Sequence, residues 1–117
     1  MKNILIVDDD EVITELLRVN LESTGYSINK TLTNIIDLKK YLKNNTAPDV
    51  VILDLLMDSD FGADMLGEIY KVWNDTKVYV FTGYSEYEDL YPFINDIVEA
   101  VFIKPDIDPL IKAIEGI

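Results

Sequence analysis

Hydrophobic residues fall into two kinds of pattern along the chain. Four short runs are apolar throughout: ILIV (4–7), VVIL (50–53), VYVF (78–81) and AVFI (100–103). Unbroken runs of this length, rich in β-branched and aromatic residues, indicate strands buried on both faces. A fifth candidate, SINKTLT (27–33), alternates apolar and polar residues, which is typical of a strand near the edge of a sheet.

The segments between these runs carry apolar residues at three- and four-residue spacing, which predicts amphipathic helices. We predict such helices over residues 11–24, 34–44, 63–73 and 107–117. Gly25 is placed to end the first of them. The segment 85–97 also has helical spacing, but Pro92 should kink or shorten a helix there.

The elements therefore follow the order strand then helix, repeated five times. This alternation is typical of a parallel sheet with right-handed crossovers and helices on both faces. A length of 117 residues is most simply one domain. We predict a single doubly wound α/β domain over residues 1–117.

Composition excludes several kinds of chemistry. The chain has no cysteine and no histidine, which rules out disulfides, thiolate nucleophiles, histidine-ligated zinc and Ser-His-Asp catalysis. Its net charge is −12, from 10 basic and 22 acidic residues. Such a charge repels nucleic acids and anionic membranes, so we predict no direct binding to either. No apolar run approaches the roughly 20 residues that span a bilayer, and no signal-peptide pattern opens the chain, so the expected location is the cytoplasm.

Polar residues follow four of the predicted strands directly. Asp8 and Asp9 come after the first strand, Asp54 after the third, Thr82 after the fourth and Lys104 after the fifth. The carboxyl ends of parallel strands form the ligand-binding edge of such a sheet. Three carboxylates there need a cation, and a hard ion such as Mg²⁺ suits them. A carboxylate nucleophile, a metal, a lysine and a hydroxyl together predict phosphoryl transfer to aspartate.

Each of these residues also has an ordinary structural interpretation. The run Asp8–Asp10 could be the solvated start of a helix, since acidic side chains favour that end. Asp54 and Thr82 could be turn residues, and Lys104 could simply end a strand. Their joint placement at four strand ends favours the site.

The same residues resemble the receiver domains of two-component response regulators, over nearly the whole chain. The matching motifs are the acidic pair after strand one, the lone Asp after strand three, Thr with a small residue after strand four and Lys-Pro after strand five. Gly62, eight residues beyond Asp54, resembles the glycine that opens the third helix in this family. The resemblance implies a flavodoxin-like (βα)5 fold whose five-stranded parallel sheet has the strand order 2-1-3-4-5.

The resemblance also implies a phosphoacceptor and a metal site. Asp54 would accept the phosphoryl group. Asp8 and Asp9 would hold Mg²⁺ together with Asp54 and the backbone carbonyl of Leu56. Asp10, the third carboxylate of the run, would instead cap the helix that follows.

The remaining roles also come from the resemblance. Lys104 would pair with the phosphoryl group and Thr82 would hydrogen-bond it; the Lys104–Pro105 bond is often cis in relatives. The donor would be a phosphohistidine on a sensor histidine kinase or a histidine phosphotransfer protein. An output domain or a protein target would respond to the surface of the fourth helix, fifth strand and fifth helix. Such a switch catalyses its own phosphorylation and slow dephosphorylation but is not a turnover enzyme, and the chain is either stand-alone or the front of a longer regulator.

The chain departs from the family pattern at several positions, including Val101 and Asp106, which stands after Pro105 where relatives usually carry an apolar residue. Relatives usually carry Tyr or Phe three residues before the lysine, where this chain has Val101, and Phe102 should point to the opposite face of the strand. Leu56 and Tyr84 stand where relatives tune the attack of water. Neither is an obvious catalyst, so we predict a fairly long-lived phosphoaspartate.

The stretch YSEYEDLYPF (84–93) supplies three tyrosines and a phenylalanine. In relatives this region forms the output surface, so exposed aromatic residues here could anchor a partner. Alternatively, they pack in the core around an irregular helix.

Other functions are weighed against the phosphoacceptor. A binding module could keep the fold and signal without phosphorylation, and Val101 and Asp106 give that some weight. An aspartyl phosphatase would need a second Asp two residues beyond the nucleophile, where this chain has Leu56. A nucleic-acid enzyme conflicts with the charge, and a dinucleotide-binding protein would need a G-x-G-x-x-G motif after the first strand, which is missing.

Overall fold

A five-stranded parallel sheet forms the centre of the computed structural model, which describes residues 2–57 and 60–116. Its strands are β1 (Asn3–Val7), β2 (Ser27–Leu32), β3 (Val50–Leu53), β4 (Lys77–Thr82) and β5 (Ala100–Ile103). Their order across the sheet is β2-β1-β3-β4-β5, and every neighbouring pair is parallel. The predicted doubly wound sheet and its strand order are confirmed.

In the described part of the chain, six helices connect and flank these strands. They are α1 (Glu11–Ser23), α2 (Ile35–Asn44), α3 (Leu66–Val72), α4 (Tyr87–Leu90), α5 (Ile94–Ile97) and α6 (Asp108–Glu115). A 3₁₀ turn, Gly62–Met65, leads into α3. None of the helices in the described part of the chain is long and apolar enough to span a bilayer.

The first helix begins where the sequence predicts. Asp10 has an extended backbone, and its side chain accepts a hydrogen bond of 3.1 Å from the amide of Ile13. This N-cap satisfies one of the amides left free at a helix start. After the helix ends, Gly25 adopts a φ of +98°, a conformation that costs glycine little. The predicted role of Asp10 as a helix cap is therefore confirmed.

The predicted fourth helix is broken in two. Residues 91–93 separate the one-turn helices α4 and α5, and Pro92 lies in this break, as expected for a residue that cannot continue a helix. Tyr87 and Tyr91 pack against the core, whereas Phe93 is 69% exposed. The packing interpretation is thus confirmed for Tyr87 and Tyr91, and partner binding by the exposed Phe93 stays a prediction.

The sheet divides the core into two layers because successive side chains of a strand point to opposite faces. Leu5, Val7 and Leu53 pack with α2, α3 and α5 on one face. Ile4 and Ile52 pack with α1 and α6 on the other. A fully buried aliphatic side chain contributes about 1.5–3 kcal/mol, so this packing holds the carboxyl ends of the strands in fixed positions.

Candidate functional site

The main chain itself places the predicted site residues. The amide of Asp8 donates to the carbonyl of Leu32 at 2.8 Å, and the amide of Asp54 donates to the carbonyl of Val7 at 2.9 Å. The amide of Lys104 likewise donates to the carbonyl of Thr82 at 2.8 Å. The sheet ladder therefore continues one step beyond the strands. Each residue that follows a strand is held in register with its neighbour.

Lys104 joins the two buried carboxylates of this edge. Its Nζ lies 3.0 Å from Oδ1 and 2.9 Å from Oδ2 of Asp8, and 3.1 Å from Oδ2 of Asp54. Asp8 is 1% exposed and Asp54 is 4% exposed. Buried charges of this kind persist only when they are paired. One cation between two carboxylates leaves a net negative charge in the crevice.

Burial and ion pairing shift the pKa values of Asp8 and Lys104. Burial raises the pKa of Asp8 to about 6, against the hydrogen bonds from the Asp10 amide and from Lys104, which lower it. Burial also disfavours the charged form of Lys104, but the hydrogen bond and the charge of Asp8 outweigh it, so the pKa of Lys104 lies above its ordinary value. Lys104 is therefore a permanent positive charge at neutral pH.

The three carboxylates fit a hard divalent cation. One oxygen from each of Asp8, Asp9 and Asp54 can lie within 4.8 Å of the other two. Among the described residues, Oδ2 of Asp8 is buried and receives no hydrogen bond, although Lys104 is close to it. Lys104 is shared between Asp8 and Asp54, so a bound cation would neutralise the negative charge that this pairing leaves. Oxygen ligands of this type are those that Mg²⁺ prefers.

A crevice of about 440 Å³ opens above these residues. Asp9, Asp54, Leu56, Thr82 and Lys104 are among the residues that line it. The structure thus brings these predicted residues together, with Asp8 beneath them. Their individual chemical roles stay predictions.

Thr82 and Leu56 lie at the rim of the crevice, and each takes part in a hydrogen bond between a main-chain amide and a side-chain oxygen. The buried hydroxyl of Thr82 accepts a hydrogen bond of 3.2 Å from the amide of Tyr84. Its own hydrogen is free to be donated to a ligand. The amide of Leu56 lies 3.4 Å from Oδ1 of Asp54, close enough to hold this carboxylate in place.

Gly62 is required by the close approach of the main chain at Asp54. Its amide donates to the carbonyl of Leu55 at 2.7 Å. A Cβ at this residue would lie 2.1 Å from the backbone oxygen of Asp54. Glycine lets the 3₁₀ turn approach the end of β3 this closely.

Some features of the site were not predicted. The amide of Asp10 donates to Oδ1 of Asp8 at 2.9 Å, so Asp10 supports the site as well as capping α1. Aspartate commonly accepts from the amide two residues later, and this was the available signal. A small antiparallel hairpin, in which Leu56 pairs with Phe61, also forms beside the crevice, and two-residue strands leave no pattern to find.

Val101, the residue that departs from the family pattern, and its neighbour Phe102 face opposite sides of the sheet. Val101 packs with the core layer of α2, α3 and α5, and Phe102 packs with the layer of α1 and α6. The sequence-based expectation for Phe102 is confirmed. The Lys104–Pro105 peptide bond is cis, as the resemblance led us to expect.

Comparison with known proteins matches the geometry. Residues 4–115 match the family model of the response regulator receiver domain. The chain is 35% identical to the response regulator TrrA of Thermotoga maritima, which was crystallised in complex with Mg²⁺-BeF; the TM-score is 0.81, and the match covers 99% of this chain and 98% of that one. A receiver domain protein from Methanospirillum hungatei gives a TM-score of 0.85 at 25% identity, covering 99% of this chain and 92% of that one.

Longer relatives share the same region. The transcriptional regulatory protein GlrR of Escherichia coli is 32% identical over 114 residues, which cover 97% of this chain and 25% of GlrR. The regulator KdpE of Mycobacterium tuberculosis is 33% identical over 105 residues, which cover 90% of this chain and 45% of KdpE. This chain therefore spans less than half the length of these curated relatives. It belongs to the family of response regulator receiver domains.

Proposed function

We propose that this chain is a phosphoacceptor switch in which Asp54 receives a phosphoryl group from a phosphohistidine of a partner protein. The observation that carries the proposal is the contact of Lys104 with both Asp8 and Asp54 at the carboxyl edge of the sheet. A lysine held in this position can also pair with the oxygens of a phosphoryl group on Asp54. Because these 117 residues include no histidine, the phosphohistidine lies outside them.

The reaction moves one phosphoryl group between two nucleophiles. A carboxylate oxygen of Asp54 attacks the phosphorus, an O–P bond forms and the N–P bond of the phosphohistidine breaks. The electron pair of that bond returns to the imidazole, and Asp54 becomes an acyl phosphate. The partner leaves with a free histidine, and the charge on the Asp54 side chain becomes more negative.

Lys104 and Thr82 stabilise the phosphoryl oxygens. The ammonium of Lys104 is already 3.1 Å from Asp54 and can follow the new charge with a small movement. The Thr82 hydroxyl has its hydrogen available, because its oxygen already accepts from the Tyr84 amide. Charge-assisted hydrogen bonds of this kind are about twice as strong as neutral ones.

Asp8, Asp9 and Asp54 are the residues that would hold Mg²⁺, with the backbone carbonyl of Leu56 as a further ligand. When bound, the metal would neutralise charge on the transferring oxygens. Asp8 is the ligand best suited to this role, since one of its buried oxygens receives no hydrogen bond from a described residue.

The biological setting follows from this chemistry. The donor would be a sensor histidine kinase or a histidine phosphotransfer protein, in the cytoplasm. The response would pass to an output domain or a protein target through the surface of α4, α5, β5 and α6. The chain modifies itself and is not a turnover enzyme. The whole of residues 1–117 would act as one receiver domain.

The phosphoaspartate should be fairly long-lived. Leu56 is 40% exposed and lines the crevice with Tyr84. Neither side chain carries a carboxylate or amide that could orient an attacking water. Decay of the phosphorylated protein, followed by intact mass at intervals after removal of the donor, measures this lifetime directly.

Intact mass spectrometry tests the proposal. Incubation with Mg²⁺ and acetyl phosphate or phosphoramidate should add one phosphoryl group, about 80 Da. The gain should vanish with EDTA and in Asp54→Asn. Asp75→Asn, which removes an exposed carboxylate, is the matched control and should gain the mass normally. A folded protein that gains no mass would contradict the proposal.

A second candidate is a binding module that works without phosphorylation. Val101, in place of the usual aromatic residue, favours it, because the side chain that normally responds to the phosphoryl group is missing. Binding of beryllofluoride with Mg²⁺, measured by calorimetry, separates the two. Binding of this phosphate mimic would support the phosphoacceptor function. A folded protein that does not bind it would support the binding module.

A further inference from the structure

An apolar groove lies between α3 and the segment that carries α4 and α5. We call it the α3–α5 groove and define it by Leu66 and Gly67 on one wall and Leu90, Phe93 and Ile97 on the other. Its volume is about 350 Å³. The groove is separate from the phosphorylation crevice, and the two share no lining residue.

The outer wall exposes large apolar side chains close together. Phe93 is 69% exposed, Leu90 is 53% exposed and Ile97 is 49% exposed. Single exposed hydrophobic residues are ordinary, but three on eight consecutive residues form a patch of the kind that marks a binding surface. On the opposite wall, Gly67 has open space where a side chain would be, which widens the groove.

The groove has fixed walls. The hydroxyl of Tyr70 on α3 donates to the carbonyl of Ile97 at 2.8 Å, so the two walls are joined at one end. Ile94 is buried and packs in the core, and it anchors α5 beneath the exposed residues. The groove is therefore fixed at its α5 end, where a partner would meet a formed surface.

The surroundings of the groove are acidic. The acidic residues on the elements that form it, and next to them, are Asp64, Glu68, Glu88, Asp89, Asp96 and Glu99. Asp64 lies close enough to the groove to contribute to the raised pKa of Tyr91, a shift that is due first to burial. Glu99 similarly adds to the effect of burial on Tyr70. The basic residues of the described stretch 62–99 are Lys71 and Lys77, and Lys77 lies at the start of β4.

The acidic surroundings indicate which kind of molecule the groove can bind. A second copy of the chain, with a net charge of −12 and the same acidic surroundings, would be repelled from a symmetric contact. The groove lies between helices and offers no free strand edge, so an extended peptide cannot add to the sheet there. An amphipathic helix laid into an apolar groove is the mode that fits.

We propose that the α3–α5 groove binds a short amphipathic helix of a partner protein, with apolar anchors flanked by lysine or arginine. Leu90, Phe93 and Ile97 contact the anchors, and Asp64, Glu68 and Asp96 face the basic flanks. The groove uses none of the residues of the phosphorylation crevice, but it shares α4 and α5 with the output surface of the proposed function, so as a route of output it rests on that function and specifies the partner.

Fluorescence anisotropy with a synthetic helix tests the proposal. The probe carries leucine at positions i, i+4 and i+7 and lysine on both flanks. We expect saturable binding that weakens with added salt. Phe93→Ala should weaken binding about tenfold or more, as expected for an aromatic anchor. Because Phe93 is largely exposed, the variant should fold normally.

The matched control is Val12→Ala on α1. Val12 is 78% exposed and lies outside the groove, so this substitution should leave the affinity unchanged. A second probe with glutamate in place of lysine should bind at least tenfold more weakly. Equal loss in both variants, or equal binding of both probes, would overturn the proposal.

Two further measurements identify the site and the occupant. Amide chemical shifts on titration with the lysine probe should change at residues 63–67 and 90–97. Changes confined to α1 or to the phosphorylation crevice would overturn the assignment. Sedimentation of the protein alone should show a monomer at the concentrations used. A dimer that Phe93→Ala abolishes would replace the partner helix with a second copy. None of these readouts depends on phosphoryl transfer, so they remain informative if Asp54 proves not to be a phosphoacceptor.

Discussion

Residues 83–86 join the carboxyl edge of the sheet to the segment from α4 to α5. The two regions differ in how deeply their residues are buried. At the edge, Asp8 and Asp54 are almost fully buried, and their amides continue the sheet ladder. In the segment, α4 buries none of its four residues, and α5 buries only Ile94. Burial and main-chain hydrogen bonds thus fix the residues of the edge, whereas most residues of the segment are not buried.

This difference corresponds to two requirements. Phosphoryl transfer needs its charged groups fixed to within a fraction of an ångström, and main-chain hydrogen bonds from adjacent strands provide that. Recognition of another protein needs accessible apolar side chains, and short helices with little burial leave them exposed. Substitutions should therefore be costly at the edge and well tolerated in the segment.

The largest effect is expected from Lys104→Met. It removes the cation between Asp8 and Asp54 and leaves two buried carboxylates facing each other. Breaking a buried ion pair costs about 3–5 kcal/mol, and we expect a loss of unfolding free energy at the low end of that range in EDTA. Chemical denaturation measures it.

Two further measurements test whether the lost stability of Lys104→Met is due to the missing positive charge: the effect of Mg²⁺ and a control substitution. Since the metal would replace the missing positive charge, Mg²⁺ should raise the Tm of Lys104→Met more than that of the unchanged protein. Lys112→Met, which removes an exposed lysine of α6, should change the stability by less than about 0.5 kcal/mol. Equal effects of the two substitutions would show that Lys104 is not a structural cation.

The next largest effect is expected from Gly62→Ala. The new methyl group would lie 2.1 Å from the backbone oxygen of Asp54, and main chain cannot move aside as a side chain does. We expect a loss of about 3 kcal/mol in unfolding free energy, together with slower phosphorylation as Asp54 is displaced.

Gly67→Ala is the matched control, at a glycine of α3 that lies five residues after Gly62. A Cβ there meets nothing within 4 Å, and alanine favours a helix over glycine by up to about 1 kcal/mol. This variant should be as stable as the unchanged protein or more so. Thermal unfolding of both variants under one condition makes the comparison, and destabilisation by Gly67→Ala would contradict it.

The sequence predicted most of the fold because buried parallel strands leave unbroken apolar runs. β1, β3, β4 and β5 each lie within one residue of the run that predicted them at either end. The hairpin between Leu56 and Phe61 was not predicted, since its conformation depends on how the 3₁₀ turn meets β3. The break at Pro92 was predicted from the one local rule strong enough to override helical spacing.

For the site, the sequence predicted which residues meet but not how they are bonded. The rule that strand ends share one edge is sufficient to bring Asp54 and Lys104 together. It does not show that Lys104 contacts Asp8 as well, or that one oxygen of Asp8 stays without a hydrogen bond among the described residues. These details depend on side-chain rotamers and burial, which no sequence pattern specifies.

A moderate effect is expected from Asp10→Ala, at the boundary between the edge and α1. It removes the N-cap hydrogen bond to Ile13, and loss of such a cap costs about 1 kcal/mol. Asp10→Asn retains an acceptor at the cap and should lose only a few tenths of a kcal/mol. Urea denaturation resolves the two variants, and equal losses would mean that the charge of Asp10, not its hydrogen bond, stabilises α1.

The smallest effect is expected from Pro92→Ala, in the weakly held segment. Loss of a proline raises the entropy of the unfolded chain and costs about 0.4–1 kcal/mol. Removal of the helix break offsets part of this cost, because residues 87–97 could then extend their helical turns. Pro109→Ala separates the two contributions, since Pro109 lies in the first turn of α6, where proline does not break a helix. We expect Pro92→Ala to lose less stability than Pro109→Ala and to gain ellipticity at 222 nm. A loss above about 2 kcal/mol would contradict the comparison, because it would show that the segment is held as tightly as the edge of the sheet.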